Sequence, residues 1–278
     1  GNRKLREGII MAEIITMGEL LVEIMRPRED VPLHETDAFR GPFPSGAPGI
    51  FISTAARLGH STAIIGGVGR DEFGENILRR LKHDGVDISR VITPEDGHTG
   101  IAFVSYTSDG ERKYLFYMDN SPCVKAKAPE DLTGFEDTKY MHIMGCSLMA
   151  NKDFAQEILK LMRVMTARGT RLTFDPNIRK ELFTDDSIHA VVEEVMQNTS
   201  IFLPGVEELL LTTGEEKIEN AIQKCFTYPK MELVVLKNGS KGSTLYFKDG
   251  TTQTIGIYKV VQEDATGAGD CYDGAFLA

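Results

Sequence analysis

Short β-rich runs that alternate with helical patterns are the feature that most constrains the fold of this chain. Residues 14–17 form an apolar run that ends at Gly18, and residues 72–83 carry an apolar stripe at helical spacing with Gly85 as a stop. Further strands are predicted at residues 62–65, 139–144, 171–174, 200–203 and 232–236. Such alternation is typical of a parallel sheet covered by helices. The chain is therefore predicted to be an α/β protein with a doubly wound sheet, and its ligands are expected beyond the carboxyl ends of the strands.

Two stretches interrupt this alternation. Residues 32–48 are aromatic and loop-like, and residues 99–119 have the pattern of a hairpin that turns around Ser108-Asp109-Gly110. We predict that they form a small β-sheet lid over the open edge of a single domain spanning residues 11–278. Such a lid would exclude water from a bound substrate. Its exposed face would also suit a second copy of the chain, which predicts a homodimer through the lid.

The motif most informative about function is residues 264–270, which read Asp-Ala-Thr-Gly-Ala-Gly-Asp. Small residues allow the backbone to approach a ligand, and the apolar positions that follow predict a helix whose first amides lack intrahelical partners. Such a helix start binds anions. Asp270 lies at the edge of this site, where a carboxylate beside a phosphate is unfavourable unless it has a task, such as accepting a proton from a hydroxyl. The motif therefore predicts phosphoryl transfer to an alcohol.

Composition and charge argue against several classes of protein. The chain has 278 residues and a net charge of −10, which disfavours nucleic acid and acidic membrane surfaces as partners. Its sequence contains no apolar run of membrane-spanning length and no signal-peptide pattern, and its four cysteines lack zinc-ligand spacing. It also contains neither a dinucleotide fingerprint nor a P-loop. We therefore expect a cytoplasmic protein with small-molecule partners.

In its motifs and in the order of its predicted strands and helices, the chain resembles the ribokinase/PfkB family of carbohydrate kinases from about residue 14 to residue 278. Residues 264–270 resemble the second signature of that family, and residues 45–48 together with 66–74 resemble the first. Residues 174–179 are similar to a segment of fructokinase-like and 2-keto-3-deoxygluconate-kinase-like members. Residues 237–242 resemble the strand end that approaches the nucleotide in the family.

This resemblance implies a ribokinase-like fold and an ATP-dependent, Mg²⁺-requiring kinase acting on a primary hydroxyl of a small sugar or sugar acid. A monovalent cation such as K⁺ is a further implied cofactor. In this interpretation Asp270 is the catalytic base, the amides of Gly267, Ala268 and Gly269 form the anion hole, and Glu208 holds Mg²⁺ through water. The residues implied to bind substrate are Glu23, Gly46, Arg179 and Asp270. Those implied to bind the nucleotide are Lys237, Gly239, Gly242, Thr266, Gly267 and Gly269.

Several departures from the family pattern bear on the acceptor. Glu23 stands where the family usually has Asp, Ile50 where the first signature ends in Asn, and Gly205 where an Asn precedes the metal-binding Glu. Keto-deoxygluconate kinases use an Arg or Tyr of the lid hairpin to hold the sugar acid, and the matching residues here are Phe116 and Met118. The neighbouring residues Arg112 and Lys113 are the candidates for binding a carboxylate.

Two other functions stay open from the sequence. A nucleoside kinase would use a wider and more apolar acceptor pocket, which Ile50 and Phe116 favour. A non-catalytic sugar-binding regulator could keep the same fold, although the presence of Asp270 argues against it. Family members continue through another helix pair beyond the position of Ala278, and we expect that these helices are missing from the sequence.

Overall fold

The computed structural model describes residues 8–178, 185–257 and 267–278. In these ranges the strands of the main sheet run in the order β14-β13-β12-β11-β10-β9-β1-β4-β5, with β6 paired to β4. These strands are β1 (Ile14–Met17), β4 (Thr62–Gly67), β5 (Val86–Asp87), β6 (Val91–Ile92), β9 (Tyr140–Met144), β10 (Arg171–Asp175), β11 (Thr199–Phe202), β12 (Leu233–Lys237), β13 (Ser243–Phe247) and β14 (Thr252–Ile255). From β5 to β12 neighbouring strands are parallel, while β13 and β14 are antiparallel additions at one edge.

The main sheet is covered by helices on both faces. The helices are α1 (Ala47–Arg57), α2 (Glu72–His83), α3 (Gly145–Ala150), α4 (Lys152–Ala167), α5 (Asp186–Asn198), α6 (Val206–Thr213), α7 (Ile218–Cys225) and α8 (Ala268–Leu277). Buried residues of α1, α2 and α8 pack on one face of the sheet, and those of α3 to α7 pack on the other. The predicted doubly wound sheet is therefore confirmed.

The central strand β1 illustrates why the sheet takes this form. All four of its residues are buried, and the neighbours Ile14 and Ile15 belong to different core clusters on the two faces. Successive side chains of a strand point to opposite faces, so a strand covered on both sides needs a continuous apolar run. The topology reverses between β1 and β9, since β4 and β5 continue the sheet on one side while β10 to β12 continue it on the other.

A second, smaller sheet has the order β3-β2-β7-β8. Its strands are β2 (Leu21–Met25), β3 (Arg40–Ser45), β7 (Gly100–Tyr106) and β8 (Arg112–Tyr117). The predicted hairpin is present as β7 and β8, which pair antiparallel from Ile101 and Tyr117 to Tyr106 and Arg112. The role of this sheet as a lid stays a prediction.

The structure differs from the sequence predictions around this small sheet. The sequence pattern does not predict β2, which pairs with both β3 and β7 and begins four residues after β1 ends. The stretch at 32–48 is also not wholly loop-like, because β3 lies within it and α1 already begins at Ala47. The proline at Pro48 suits the first turn of a helix, where its missing N–H has no partner to lose. In the part of the chain that the structure describes, no helix is both long and apolar enough to cross a membrane.

Candidate active site

A cleft of about 450 Å³ lies beyond the carboxyl ends of the parallel strands. One wall is built by the ends of β10 and β12 and by the start of α8, and the opposite wall by β8 of the small sheet. The cleft opens beside β1 and β9, between which the strand order reverses. Ligands of open α/β sheets bind at such a switch point, so the fold itself marks this cleft as the candidate active site.

The start of α8 has the backbone features of an anion-binding site and lies in the cleft. Gly267 precedes the helix in a left-handed conformation with φ of 72°, and the Cys271 amide donates to its carbonyl at 2.9 Å. A Cβ at Gly267 would lie 2.8 Å from Cδ1 of Ile50, so both backbone strain and space favour glycine. The first amides of α8, which belong to Ala268, Gly269 and Asp270, have no intrahelical acceptors. Gly267, Ala268 and Gly269 line the cleft, and their role as the anion hole stays a prediction.

Asp270 lies in the first turn of α8 and faces the same cleft. Burial, followed by the negative charge of Asp175, raises the pKa of Asp270 to about 7, and the charge of Lys237 opposes this rise. Glu19 and Glu23 act in the same direction as Asp175. A carboxylate with a pKa near neutrality is a stronger proton acceptor than an ordinary aspartate, and it is still deprotonated in part at pH 7. The geometry and the pKa both suit a general base.

An ionic cluster lies behind Asp270. Lys237, at the end of β12, donates to Oδ2 of Asp175 at 2.8 Å and to Oδ1 of Asp273 at 3.1 Å. Asp175 ends β10 and Asp273 lies one turn after Asp270 in α8, and both are buried. Burial disfavours the charged form of Lys237, but the two carboxylates together hold its pKa above the ordinary value. Lys237 therefore stays an ammonium group within the cluster.

Glu208 is held at a fixed position by the backbone. Its Oε1 accepts from the amide of Gly205 at 2.8 Å and its Oε2 from the amide of Ile178 at 3.0 Å. Gly205 caps α6, so Glu208 occupies the position from which a glutamate reaches back to the helix start. Burial and the charge of Asp175 raise the pKa of Glu208 to about 6. The side chain lines the cleft on the same wall as Lys237 and Asp270.

The floor of the cleft carries further acidic and polar groups. Glu19 and Glu23 are both buried, and Glu19 accepts a hydrogen bond from the Cys146 thiol at 3.2 Å. Burial and the charges of Glu19 and Asp270 raise the pKa of Cys146 well above its ordinary value, so this thiol serves as a hydrogen-bond donor. Gly46 lines the same floor at the start of α1, where a Cβ would lie 2.8 Å from the carbonyl oxygen of Glu19.

The opposite wall is the inner face of β8. Side chains of a strand alternate between its two faces, and Arg112, Tyr114, Phe116 and the following Met118 line the cleft. The rings of Tyr114 and Phe116 stack with their centroids 5.2 Å apart. Lys113 lies on the other face of the strand, so of the two predicted carboxylate binders the structure brings only Arg112 to the cleft.

Most of the predicted site residues meet in one place. Glu23, Gly46, Glu208, Lys237 and the residues 267–270 all line the cleft. Arg179 and Thr266 lie outside the residues that the structure describes, so their roles stay predictions. Among the described residues of the cleft wall neither Gly239 nor Gly242 is found, because both lie in the turn that follows β12. A Cβ at Gly242 would collide with the backbone carbonyl of Ile255, so local packing explains why this position is glycine, and no ligand is needed to explain it.

Sequence reasoning missed several residues of this site. Asp175 was noted only as part of a segment similar to the family, and Asp273, Glu19 and Cys146 were not singled out. A signal for Asp273 was available, since residues three apart on a helix share a face and Asp270 was already assigned to the cleft. No local pattern points to Glu19 or Cys146, because they follow different strands, β1 and β9, and meet only when those strands pair.

Comparisons with known proteins agree with this geometry. Residues 11–278 match the model of the pfkB family carbohydrate kinase. The chain belongs to the pfkB family of carbohydrate kinases, and the predicted class of enzyme is thereby confirmed.

Individual relatives cover nearly the whole chain. Fructokinase-1 of Oryza sativa subsp. japonica is 30% identical over 266 residues, which cover 95% of this chain and 81% of the relative. A candidate ribokinase II from E. coli, solved with ATP and Mg²⁺, is 35% identical with a TM-score of 0.89, and the match covers 96% of this chain and 85% of that one. A double mutant of a Vibrio cholerae O395 fructokinase, solved with fructose, ADP and potassium ion, is 25% identical with a TM-score of 0.80 and coverage of 97% and 83%.

Proposed function

We propose that this protein transfers the γ-phosphoryl group of ATP to a primary hydroxyl of a small neutral sugar, in the manner of fructokinases. The observation that carries the proposal is the place of Asp270, which lies at the anion-binding start of α8 and faces the same cleft as Glu23 and Gly46. Support also comes from the curated relatives, which are fructokinases, and from the E. coli neighbour that was solved with ATP and Mg²⁺.

In this mechanism Asp270 accepts the proton of the acceptor hydroxyl while that oxygen forms a bond to the γ-phosphorus. The bond between the γ-phosphorus and the bridging oxygen breaks, and ADP leaves with the electron pair. The amides of Gly267, Ala268 and Gly269 stabilise the negative charge on the phosphoryl oxygens. A positioned base contributes roughly 10²–10⁴-fold to the rate. The small sheet would close the cleft and exclude water, which protects ATP from hydrolysis.

Glu208 is the residue proposed to hold Mg²⁺ through water. Its two oxygens each accept one backbone amide, which leaves a further lone pair on each for a water ligand. Mg²⁺ prefers oxygen ligands and usually keeps several waters, so the donor fits. When bound with the nucleotide, Mg²⁺ neutralises charge on the phosphates. A monovalent cation belongs to the same proposal, since the Vibrio cholerae fructokinase was solved with potassium ion.

Charge favours a neutral sugar over a sugar acid. Glu19, Glu23, Asp175, Glu208 and Asp270 all line the cleft. Lys237 is already paired with two carboxylates, and among the described residues of the cleft wall the other cationic side chain is Arg112 on β8. A carboxylate on the acceptor would therefore be repelled over most of the cleft unless it lay beside Arg112.

A coupled ADP assay tests the proposal. Neutral hexoses and pentoses, keto-deoxy sugar acids and nucleosides are offered with ATP and Mg²⁺, and we expect turnover with a neutral sugar. If nucleosides were the only acceptors that gave turnover, the proposal would be wrong and the protein would be a nucleoside kinase. Sugar-dependent shifts in melting temperature without any ADP release would support the non-catalytic regulator instead. The raised pKa of Asp270 favours catalysis over that alternative.

A homodimer through the small sheet is part of this proposal. β8 lies at the edge of that sheet, and Leu115 and Tyr117 on its outer face are 45% and 57% exposed. An unpaired edge with apolar side chains suits pairing with a second copy. Sedimentation velocity should give a dimer that is weakened when Leu115 and Tyr117 are both replaced by serine, and a monomeric wild-type protein would contradict this arrangement.

A further inference from the structure

Asp273 occupies an unusual place for an acidic residue. It is fully buried in α8, one helical turn after Asp270, while Asp270 faces the cleft. Residues three apart lie on the same side of a helix, so the two carboxyl groups are stacked along one edge of α8. One oxygen of each of these carboxyl groups and one of Asp175 lie within 4.8 Å of one another.

Lys237 joins these carboxyl groups to the main sheet. Its ammonium contacts both Asp175 and Asp273, which places a positive charge where three converging carboxyl groups would otherwise favour a metal ion. The same ammonium lies close to the first turn of α8, since a Cβ built on Gly269 would be 3.9 Å from Nζ of Lys237. Lys237 therefore contacts Asp273 and also lies close to the first turn of α8.

A second strand contributes to the surroundings of Asp273. Nε2 of His142, on β9, lies 3.8 Å from Oδ2 of Asp273, and both side chains are fully buried. The imidazole stacks on Phe51 with ring centroids 3.9 Å apart, and its Nδ1 lies 2.6 Å from the Thr173 hydroxyl. Burial lowers the pKa of His142 to about 3, so the ring is neutral. Residues from three strands of the main sheet, β9, β10 and β12, thus converge on one residue of α8.

Stability alone does not account for this arrangement. Burying charged groups carries a large desolvation penalty, and replacing a buried ion pair by apolar residues of similar volume is often neutral or stabilising. The ring of Phe51 stacks on His142, which faces Asp273, so an apolar core lies next to the ionic cluster. The ion pairs of Lys237 have a defined direction and hold α8 at a fixed position, which an apolar contact does not do.

We propose that Asp273 is a positioning residue for Asp270, which acts through Lys237 by fastening the first turn of α8 to the carboxyl ends of β10 and β12. This inference rests on the proposed function, in which Asp270 is the base. The titratable groups that face Asp270 are Asp175 from β10, Lys237 from β12, Cys146 from α3, Glu19 after β1 and Glu23 from β2. His142 from β9 faces Asp273 behind them.

The test compares three variants of the whole chain. Asp273→Ala removes the anchor, and Asp273→Asn keeps the volume and an oxygen that accepts from Lys237. Met165→Ala, on the buried face of α4, is the control for lost stability, because Met165 is fully buried and does not line the cleft. Each variant is measured for melting temperature, for kcat and KM, for the pH profile of kcat/KM, and for hydrogen exchange of the amides in residues 267–278.

We expect Asp273→Ala to lower kcat about 10²-fold with little change in the KM for ATP, because a misplaced base fails in the transition state. Water that enters the vacated space lessens the burial of Asp270, so the midpoint of the pH profile should fall by about one unit. The amides of α8 should exchange faster. Asp273→Asn should restore most of the turnover and the exchange protection, and Met165→Ala should lower the melting temperature while leaving the pH midpoint in place.

Two results would overturn the inference. The first is that Asp273→Ala keeps the wild-type kcat, pH midpoint and amide exchange. The second is that Asp273→Ala loses activity only in proportion to its fall in melting temperature, as Met165→Ala does. The exchange measurement separates this inference from the proposed function. If the wild-type protein phosphorylates none of the acceptors, the proposed function is wrong. If Asp273→Ala, and not Met165→Ala, then still speeds the exchange of the α8 amides, the inference that Asp273 holds α8 in place is supported.

Discussion

The two walls of the cleft differ in burial and in chemistry. The wall formed by the main sheet and α8 is charged and closely packed, with Asp175 and Asp273 buried around the ammonium of Lys237. The wall formed by β8 is aromatic and open, and Phe116 is 46% exposed. Burial shifts pKa values and fixes geometry, whereas an exposed strand is free to change its side chains without affecting the core. We therefore propose that the reaction takes place at the first wall and that the second wall selects the acceptor.

The largest expected effect comes from the charged wall. Asp270→Asn should lower kcat by roughly 10²–10⁴-fold and leave the KM for ATP nearly unchanged, because the variant keeps its shape but accepts no proton. Steady-state kinetics with the accepted sugar measure this. Asp186→Asn is the matched control, since Asp186 is also an acidic residue in the first turn of a helix, α5, and lies outside the cleft. Near-native turnover in Asp270→Asn would place the base elsewhere.

The next effect tests the backbone of the same wall. Gly267→Ala should destabilise the protein by about 1–3 kcal/mol, because alanine resists the left-handed conformation, and should lower kcat about 10²-fold, because its Cβ would collide with Ile50 and displace the amides. Denaturant unfolding and kinetics measure the two effects. Gly214→Ala is the control, with φ of 69° against 72° at Gly267 and nothing within 4 Å of its added Cβ.

The two glycine variants together show whether the start of α8 shapes the reaction or only the stability. Gly214→Ala should lose stability and keep its kcat. If Gly267→Ala behaves in the same way, the start of α8 does not shape the reaction. Adding Ile50→Ala to Gly267→Ala should recover part of the kcat, because it removes the side chain with which the new Cβ collides.

The pH dependence follows from the raised pKa of Asp270. A base must be deprotonated to act, so kcat/KM should rise about tenfold per pH unit below pH 7 and level off above it. The charge of Asp175 raises the pKa of Asp270, so Asp175→Asn should move the midpoint to lower pH. A pH profile measured with saturating ATP checks both statements. A midpoint near pH 4 in the wild-type protein, or an upward shift in the variant, would contradict the electrostatic account.

The smallest effects are expected on the open wall. Phe116→Ala should raise the KM for the sugar by a few-fold and change kcat less, because it removes uniform binding of the acceptor. Arg112→Gln should abolish any turnover of sugar acids and spare neutral sugars. Lys113→Gln is the control, because Lys113 is the next residue along β8 and lies on its other face. A large loss of kcat from Phe116→Ala would show that the two walls are not separate in function.

Much of the fold could be predicted because its signals are local. Helix α2 begins and ends at the predicted residues 72 and 83, where Asp71 caps the start through the Gly74 amide and Gly85 follows the end. The hairpin of β7 and β8 was likewise predicted from its turn residues. By contrast, β2 follows β1 after only Gly18-Glu19-Leu20, and its assignment to another sheet depends on pairing with β3 and β7.

The proposed anion-binding helix start and the proposed base could be predicted from the sequence, because small residues and a flanking acid lie within seven positions and their chemistry is local. The sequence also determined the family, since the matching motifs extend along the chain. The surroundings of Asp270, by contrast, depend on the tertiary structure. Asp175, Lys237 and Asp273 come from three elements, and their charges meet because parallel strands bring their carboxyl ends to one edge of the sheet. Burial at that edge, which no local pattern encodes, is what raises the pKa of Asp270.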